Sequence, residues 1–355
     1  MLRFSVKTNT IKHYFTKAPE KGRPVVSNIN AILNDKNNVL WVADWNYGLM
    51  KYDRKKDIFN TVSNSYFEHN RLSDNRVQRI LEDKKGLLWI GTEGGLNRYD
   101  IASDTFIRYQ HDPNDNTSLS SNSIQAQAMT FDKDSNLWLG TWSFGLNKME
   151  FSDSKRLNAK FRRWVNMPDD PTSLPNNNVI SLLYDTTTLW IGTFGGGLSR
   201  LDLNTEKFTT YTTKDGLPNN IIFAIIKDKN GHLWLSTDYG VSMFDPLNGT
   251  FYNYTKEDGL QDNHFFWGAA YKDKNGTIFF GGIKGINSFV PEEVKPDTTM
   301  AKAVIVDIKL FNKSIDNQRY NSLSKVVEFH YYENFISFEF AALDYSEPKN
   351  NLYKI

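Results

Sequence analysis

Three kinds of side chain in this 355-residue sequence could do chemistry: carboxylates set in turns, a few histidines, and aromatic rings beside Asn, Ser or Asp. Hydrolysis of a glycosidic bond needs two carboxylates about 5 to 9.5 Å apart on either side of that bond. Glu93, Asp238, Asp44, Asp74 and Asp262 could supply a pair, but no spacing singles out two of them. An acid in a turn is ordinarily a cap for backbone amides. A lyase would need a histidine and an acid around a metal, and His13, His69, His111, His232, His264 and His330 are scattered, with no i, i+4 pair. Asp132-Lys-Asp134-Ser-Asn136 has the first half of a calcium loop without its closing Glu and reads as a hairpin turn. The aromatic set differs, because its members fall at equivalent points of a repeated pattern. Trp45, Asn46, Tyr47, Glu93, Trp142, Ser143, Phe144, Phe194, Asp238 and Tyr239 follow one kind of strand, while Asp74, Asn176, Asn219, Asp262 and His264 lie in connectors that lead into another. Rings flanked by amides and carboxylates suit a sugar, which offers an apolar C–H face and a rim of hydroxyls. The candidate ligand-binding residues are therefore Trp45, Tyr47, Glu93, Trp142, Phe144, Phe194, Asp238, Tyr239 and His264, with no catalytic residue, metal ligand or cofactor expected. The competing reading is that Trp142 and Phe144 only pack between neighbouring elements.

The elements that must position these residues repeat. A Leu-Trp pair stands at Leu40/Trp41, Leu88/Trp89, Leu137/Trp138, Leu189/Trp190 and Leu233/Trp234, with a weaker copy at Ile278/Phe279. The spacing of roughly 44 to 52 residues calls for a repeat architecture. Six or seven residues after each aromatic comes a glycine (Gly48, Gly95, Gly145, Gly197, Gly240, Gly285), and an acid follows in five copies: Asp53, Asp100, Glu150, Asp202 and Asp245. In the fourth full copy, LWIGT reads as a strand, the glycine as a turn, LSRLD as the returning strand, Asp-Leu-Asn-Thr-Glu as a second turn and KFTTYTT as a further strand. One more strand lies upstream in each copy, as in Asn177-Asn-Val-Ile-Ser-Leu-Leu. Four antiparallel strands per repeat make a propeller blade. Adjacent apolar pairs such as Ile80/Leu81 and Ile225/Ile226 require both faces of a strand to be buried, as blades packed around an axis provide. No long run shows helical spacing.

The fold class expected is all-β: a β-propeller of four-stranded blades, seven-bladed and incomplete at the N-terminus, followed by the start of a small β-sandwich. Residues 1–20 align on the third and fourth strands of a blade, so the sequence reads as a fragment; ring closure by an N-terminal strand is the alternative. Blades occupy 21–292, at 27–62, 75–109, 122–164, 177–211 and 220–254 plus a partial last one, with extra residues between Glu150 and Phe161. The connectors repeat Leu and Asn, as in Ser173-Leu-Pro-Asn-Asn177 and Gly216-Leu-Pro-Asn-Asn220, and these are expected to pack and to cap the loop. Residues 293–302 read as a linker, and 303–355 as a truncated Ig-like sandwich with Ile336, Phe338 and Phe340 on one strand face.

Composition agrees and excludes other classes. Nine Trp and 24 Phe supply a large core, and 42 basic residues against 41 acidic give a net charge of +1, so there is no electrostatic case for nucleic acid or an anionic membrane surface. With no cysteine, disulfides and thiolate metal sites fall away. No apolar run approaches the roughly 20 residues of a membrane span, and the first residues lack a signal-peptide core.

Taken together, the LWIGT-GL-YD repeats, the SLS-x-N connectors with their DPNDN and PDDPTSLP lead-ins, and the ISFEFAALDYSEPKNNLYKI tail resemble the extracytoplasmic part of bacterial hybrid two-component sensors. There, regulator-propeller repeats precede a sandwich known for its three tyrosines. The resemblance implies two seven-bladed propellers, a membrane helix and cytoplasmic histidine kinase, receiver and DNA-binding parts. Of these, the chain would hold most of the second propeller and the first part of the sandwich. It further implies a periplasmic location, an oligosaccharide ligand, control of glycan-use genes and a homodimer formed through the full-length protein. Membrane attachment would come only through flanking segments, and no kinase activity falls to these residues. The alternatives are a glycan-active propeller enzyme and a ligand-free interaction scaffold.

Overall fold

A computed structural model of the chain describes residues 2–5, 10–13, 28–62, 71–151, 159–294, 303–315, 320–321, 326–327 and 329–342. The expected extra loop beyond Glu150, most of the linker and the tail after Ala342 lie outside the described residues. The chain divides into two units, Met1–Val294 and Lys295–Ile355.

In the first unit each repeat is an antiparallel sheet whose strands follow one another in chain order. Blade 1 consists of Ile29–Asn34, Leu40–Asp44, Gly48–Asp53 and Ile58–Thr61. Blades 2 to 5 are also four-stranded and start with the inner strands Val77–Glu82, Ile124–Phe131, Val179–Asp185 and Ile222–Lys227. Blade 6 has three strands, Phe265–Lys272, Ile278–Gly282 and Gly285–Phe289. Leu2–Ser5 and Thr10–His13 pair with each other as a two-stranded sheet. Among the described residues the first unit thus holds one two-stranded sheet, five four-stranded blades and one three-stranded blade, with blades 3 and 4 joined into a single eight-stranded sheet. Blades 3 and 4 touch through a parallel bridge between Gln127 and Ser181.

The aromatic anchors are the mortar between blades. Trp89 of blade 2 is fully buried with Leu119, Ile124, Leu137 and Phe161 of the next blade and its connector. Trp234 of blade 5 is buried with Phe265, Ile278 and Phe280 of blade 6. Neighbouring apolar residues on an inner strand serve opposite interfaces: Ile80 joins the cluster shared with blade 1 and Leu81 packs toward blade 3. This is why runs of adjacent apolar residues are tolerated.

The turns have fixed chemistry. In the hairpin between the inner and the Trp strand, one aspartate closes the turn and also holds the indole: Asp83 accepts from the amides of Lys85 and Leu87 and from Trp89 Nε1 at 3.1 Å. Asp35, Asp132 and Asp228 hold Trp41, Trp138 and Trp234 in the same way. The half calcium loop at Asp132 is such a hairpin, its carboxylate taken by Asp134, Asn136 and Trp138. At the other end the glycine is obligatory. Gly197 has φ +82°, and a Cβ there would stand 2.2 Å from the carbonyl oxygen of Tyr211. The connector asparagines cap as expected, Asn177 and Asn220 accepting from the amides of Asn166 and Thr213, while Leu174 and Leu217 are buried.

The second unit contains a three-stranded antiparallel sheet with Ala303–Leu310 between Lys313–Ser314 and Ile336–Ala342, and a two-stranded sheet of Tyr320–Asn321 with Val326–Val327. Register places Ile308 opposite Phe338 and Ile305 opposite Phe340.

Candidate functional site

Because the strands alternate in direction, the start of every inner strand and the turn after every Trp strand fall on the same end of the ring, the mouth. A cavity of about 390 Å³ opens there, lined by Asn28, Asn30, Trp45, Gln78, Glu93, Ser123, Gln125, Ala126, Trp142 and Trp267. Blade 1 gives Asn30 from its inner strand and Trp45 from its turn, with Asn28 just ahead. Blade 2 gives Gln78 and Glu93, blade 3 gives Gln125 and Trp142, and blade 6 gives Trp267.

Each side chain is held. Asp44 is fully buried and accepts from the amides of Asn28, Asn46 and Tyr47, which fixes the turn carrying Trp45. Gln78 Nε2 donates to Glu93 Oε1 at 2.8 Å, while Asn30 Nδ2 donates to the carbonyl of Val77 at 3.0 Å. Gln125 Nε2 donates to Ser123 Oγ at 3.1 Å. Trp142 stacks on Trp267 at 5.6 Å between ring centroids, and Phe194 meets both rings edge-on at 5.3 and 5.7 Å. Arg76 lies over the Trp45 ring at 6.0 Å but is bound to Asp74, Nη2 to Oδ2 at 2.6 Å. That hydrogen bond from Arg76 holds the Asp74 carboxyl below its ordinary range against the opposing effect of burial.

Trp267 reaches the site because its strand is broken by a bulge. Phe265 pairs with Gly282 and Ala270 with Phe280, leaving Phe266-Trp267-Gly268-Ala269 without ladder partners. Gly268 takes φ +72°, and its carbonyl accepts from Gln127 Nε2 of blade 3 at 2.8 Å, so the bulge crosses to blade 3.

Of the nine candidates, Trp45, Glu93 and Trp142 line the cavity, and Phe194 braces its tryptophans. Tyr47 is half-buried against Val42, Met50 and Phe59. Phe144 and Tyr239 are exposed elsewhere on the mouth turns. Asp238 and His264 form their own pair, Oδ1 to Nδ1 at 3.3 Å, joining blades 5 and 6. Trp267, Asn30, Gln78 and Gln125 escaped the sequence reading. The Trp-Gly pair inside a strand pattern was a bulge signal, and amides standing where the inner strands are otherwise apolar were another.

A second cavity of about 200 Å³ lies at the opposite end, between blades 3 and 4, lined by Trp138, Lys148, Arg162, Trp164 and Glu206 among others. Two of its cations are paired locally, Arg162 with Glu206 and Lys148 with Glu150. Among the described residues no group of His, Cys, Asp and Glu could hold a metal, and no helix is long and apolar enough to cross a membrane.

Five four-stranded antiparallel blades following one another in chain order make the first unit a β-propeller, and comparison shows what it is similar to. Segments 71–94, 118–143, 173–195 and 216–239 match the two-component regulator propeller repeat, each running from a connector to the mouth turn. The chain is 33% identical over 150 residues to histidine kinase P4 of Formosa agariphila, an alignment taking in 41% of this chain and 10% of that protein. The extracellular domain of BT4673 from B. thetaiotaomicron, described as a one-component system, superposes with a TM-score of 0.54 at 17% identity, over 90% of this chain and 48% of that one. Virginiamycin B lyase from Staphylococcus aureus gives 0.55 at 14% identity, over 81% and 86%. At such identities the two structures show the fold alone. The chain therefore spans a tenth of the kinase and about half of the BT4673 domain. Its first unit is a β-propeller in which four segments match the two-component regulator repeat, and it shares its fold with the BT4673 domain.

Proposed function

We propose that this chain is the ligand-sensing part of a hybrid two-component sensor kinase and that its ligand is an oligosaccharide taken at the propeller mouth. The observation that carries the reading is the cavity in which Trp45, Trp142 and Trp267 face Asn30, Gln78, Gln125 and Glu93. Flat apolar rings beside amide and carboxylate edges match the two faces of a pyranose. In the whole protein the sensor would stand in the periplasm and act as a homodimer. The second unit, as the start of a three-tyrosine sandwich, would pass the signal toward the membrane for control of glycan-use genes. Such coupling needs a two-state element whose balance the ligand shifts.

Calorimetry of the 355-residue chain against a panel of plant and algal oligosaccharides tests this. We expect saturable binding, weakened about tenfold or more by Trp45→Ala or Trp142→Ala, since a stacked ring at a binding centre contributes about 1 to 2 kcal/mol or more. Unchanged affinity in both variants would remove the site. One observation favours a glycan-active enzyme instead: the Asp238–His264 pair is an acid beside an imidazole at the same end of the ring. Product formation from the bound glycan would decide for that reading, and saturable binding without product for the sensor.

A further inference from the structure

Charge distinguishes the mouth from the rest of the molecule. The chain carries a net +1, yet the cavity is lined by no lysine or arginine and by one carboxylate, Glu93. Only one of its oxygens is engaged, by Gln78. Beneath Trp45 the buried Asp44 adds a second negative charge, satisfied by backbone amides rather than by a cation. Arg76, which lies over Trp45, bonds Asp74 through both Nε and Nη2, and its charge is coupled more weakly to Glu93. Arg79, next to Gln78 at the irregular step of the inner strand, is not among the residues that line the cavity, and its buried Nε has no hydrogen-bond partner among the described residues. Elsewhere on the mouth Lys284 is paired with Asp262 at 2.7 Å, and Asp238 with His264. One face of Trp45 is covered by Arg76, and Trp142 and Trp267 stack on each other; the indole faces left open carry the negative pole of the ring quadrupole, which favours a cation there and disfavours an anion.

We infer that the mouth selects its glycan by charge: the sugar unit that faces Glu93 bears no carboxylate or sulfate, and a protonated amine at that unit binds more tightly than a hydroxyl. This rests on the saccharide reading above. A like charge placed against Glu93 would be left unpaired in a partly desolvated site, since no lysine or arginine lines the cavity to offset it. An ammonium group would meet the unengaged carboxylate oxygen and the ring faces together.

The test is calorimetry at about pH 6, where a sugar amine is protonated, with matched β-1,4-linked tetramers of glucose, glucosamine and glucuronic acid. The expected order is glucosamine at least about fivefold tighter than glucose, and glucuronate weaker than glucose by about tenfold or more. Glu93→Gln should collapse the glucosamine-to-glucose ratio to within about twofold and bring glucuronate closer to glucose. Glucuronate binding as well as or better than glucose would overturn the charge rule and leave the saccharide reading standing, as would a ratio indifferent to Glu93→Gln. If none of the three binds, both inferences fall.

Discussion

The two ends of the propeller are made from the same strands but are built on opposite plans. At the hairpin end, equivalent positions hold the same residue doing the same work: Asp35, Asp83, Asp132 and Asp228 each close a turn and grip the indole of Trp41, Trp89, Trp138 and Trp234. At the mouth, equivalent positions after the Trp strand hold Trp45, Glu93, Trp142, Phe194 and Asp238, aromatic in three blades and acidic in two. A turn that must only close can be solved once and copied. An end that takes an asymmetric ligand, as we propose for the mouth, would need different groups around its rim, and the backbone there is held by the same hydroxyl in four blades, Thr92, Thr141, Thr193 and Thr237 donating to the carbonyls of Gly95, Gly145, Gly197 and Gly240. Blade 4 shows how the copied plan can be cut short: its hairpin is tighter, turning at Thr186 with φ +56°, and Tyr184 rather than an aspartate stands six residues before Trp190.

The largest effect that could break this contrast is on stability. Trp234→Ala removes a side chain that is 1% exposed, stacked on Tyr254 at 5.8 Å and met at a tilt by Phe289 at 4.6 Å. We expect a loss of roughly 3 to 5 kcal/mol in urea unfolding, against under about 1 kcal/mol for Trp45→Ala at the half-exposed mouth. Equal losses would mean that the mouth tryptophans are structural. Next in size is the hairpin carboxylate. Asp83→Ala would leave the Trp89 indole and the amides of Lys85 and Leu87 without their acceptor, for about 1 to 3 kcal/mol. A cost near zero would show that water replaces the carboxylate, and the copied aspartates would then need another explanation.

The contrast also explains what could be read from the residues and what could not. Blades, their order and the connectors were legible because packing repeats: Trp41, Trp89, Trp138, Trp190 and Trp234 must each fill a gap between sheets, and their period carries the architecture. The gathering of Trp45, Glu93 and Trp142 was legible for the same reason, since equivalent turns share an end. Trp267 was not, because it enters from a bulge: every inner strand breaks register near its start, but only blades 3 and 6 leave four residues unpaired there, and the repeated pattern does not show which. Gln78 and Gln125 were hidden within apolar inner strands, and whether such an amide faces the axis or a neighbouring blade depends on twist. Tyr47, Phe144 and Tyr239 went the other way: position placed them at the mouth, but the side-chain direction took Tyr47 into the blade 1 core and left the other two on the surface.

The smallest effect sharpens the comparison at its boundary. Asp74 belongs to a connector, yet it fixes Arg76 over Trp45 and so joins the copied scaffold to the variable rim. Its pKa is lowered in the folded protein, chiefly by the hydrogen bond from Arg76, with burial acting in the opposite direction. A carboxyl whose folded pKa lies below its unfolded value binds protons more readily when unfolded, so its stabilising contribution is present above the unfolded pKa, near 3.9, and is lost as pH falls through the folded value. The pair is largely solvated, so the contribution is small, below about 1 kcal/mol. In the wild type, the difference in stability from Asp74→Asn should therefore be constant above about pH 5 and shrink toward zero in acid, with salt reducing it throughout. A difference that persists below the folded pKa would mean that Asp74 acts through the shape of the connector and not through its charge, and Arg76 would then be free to answer an anionic ligand.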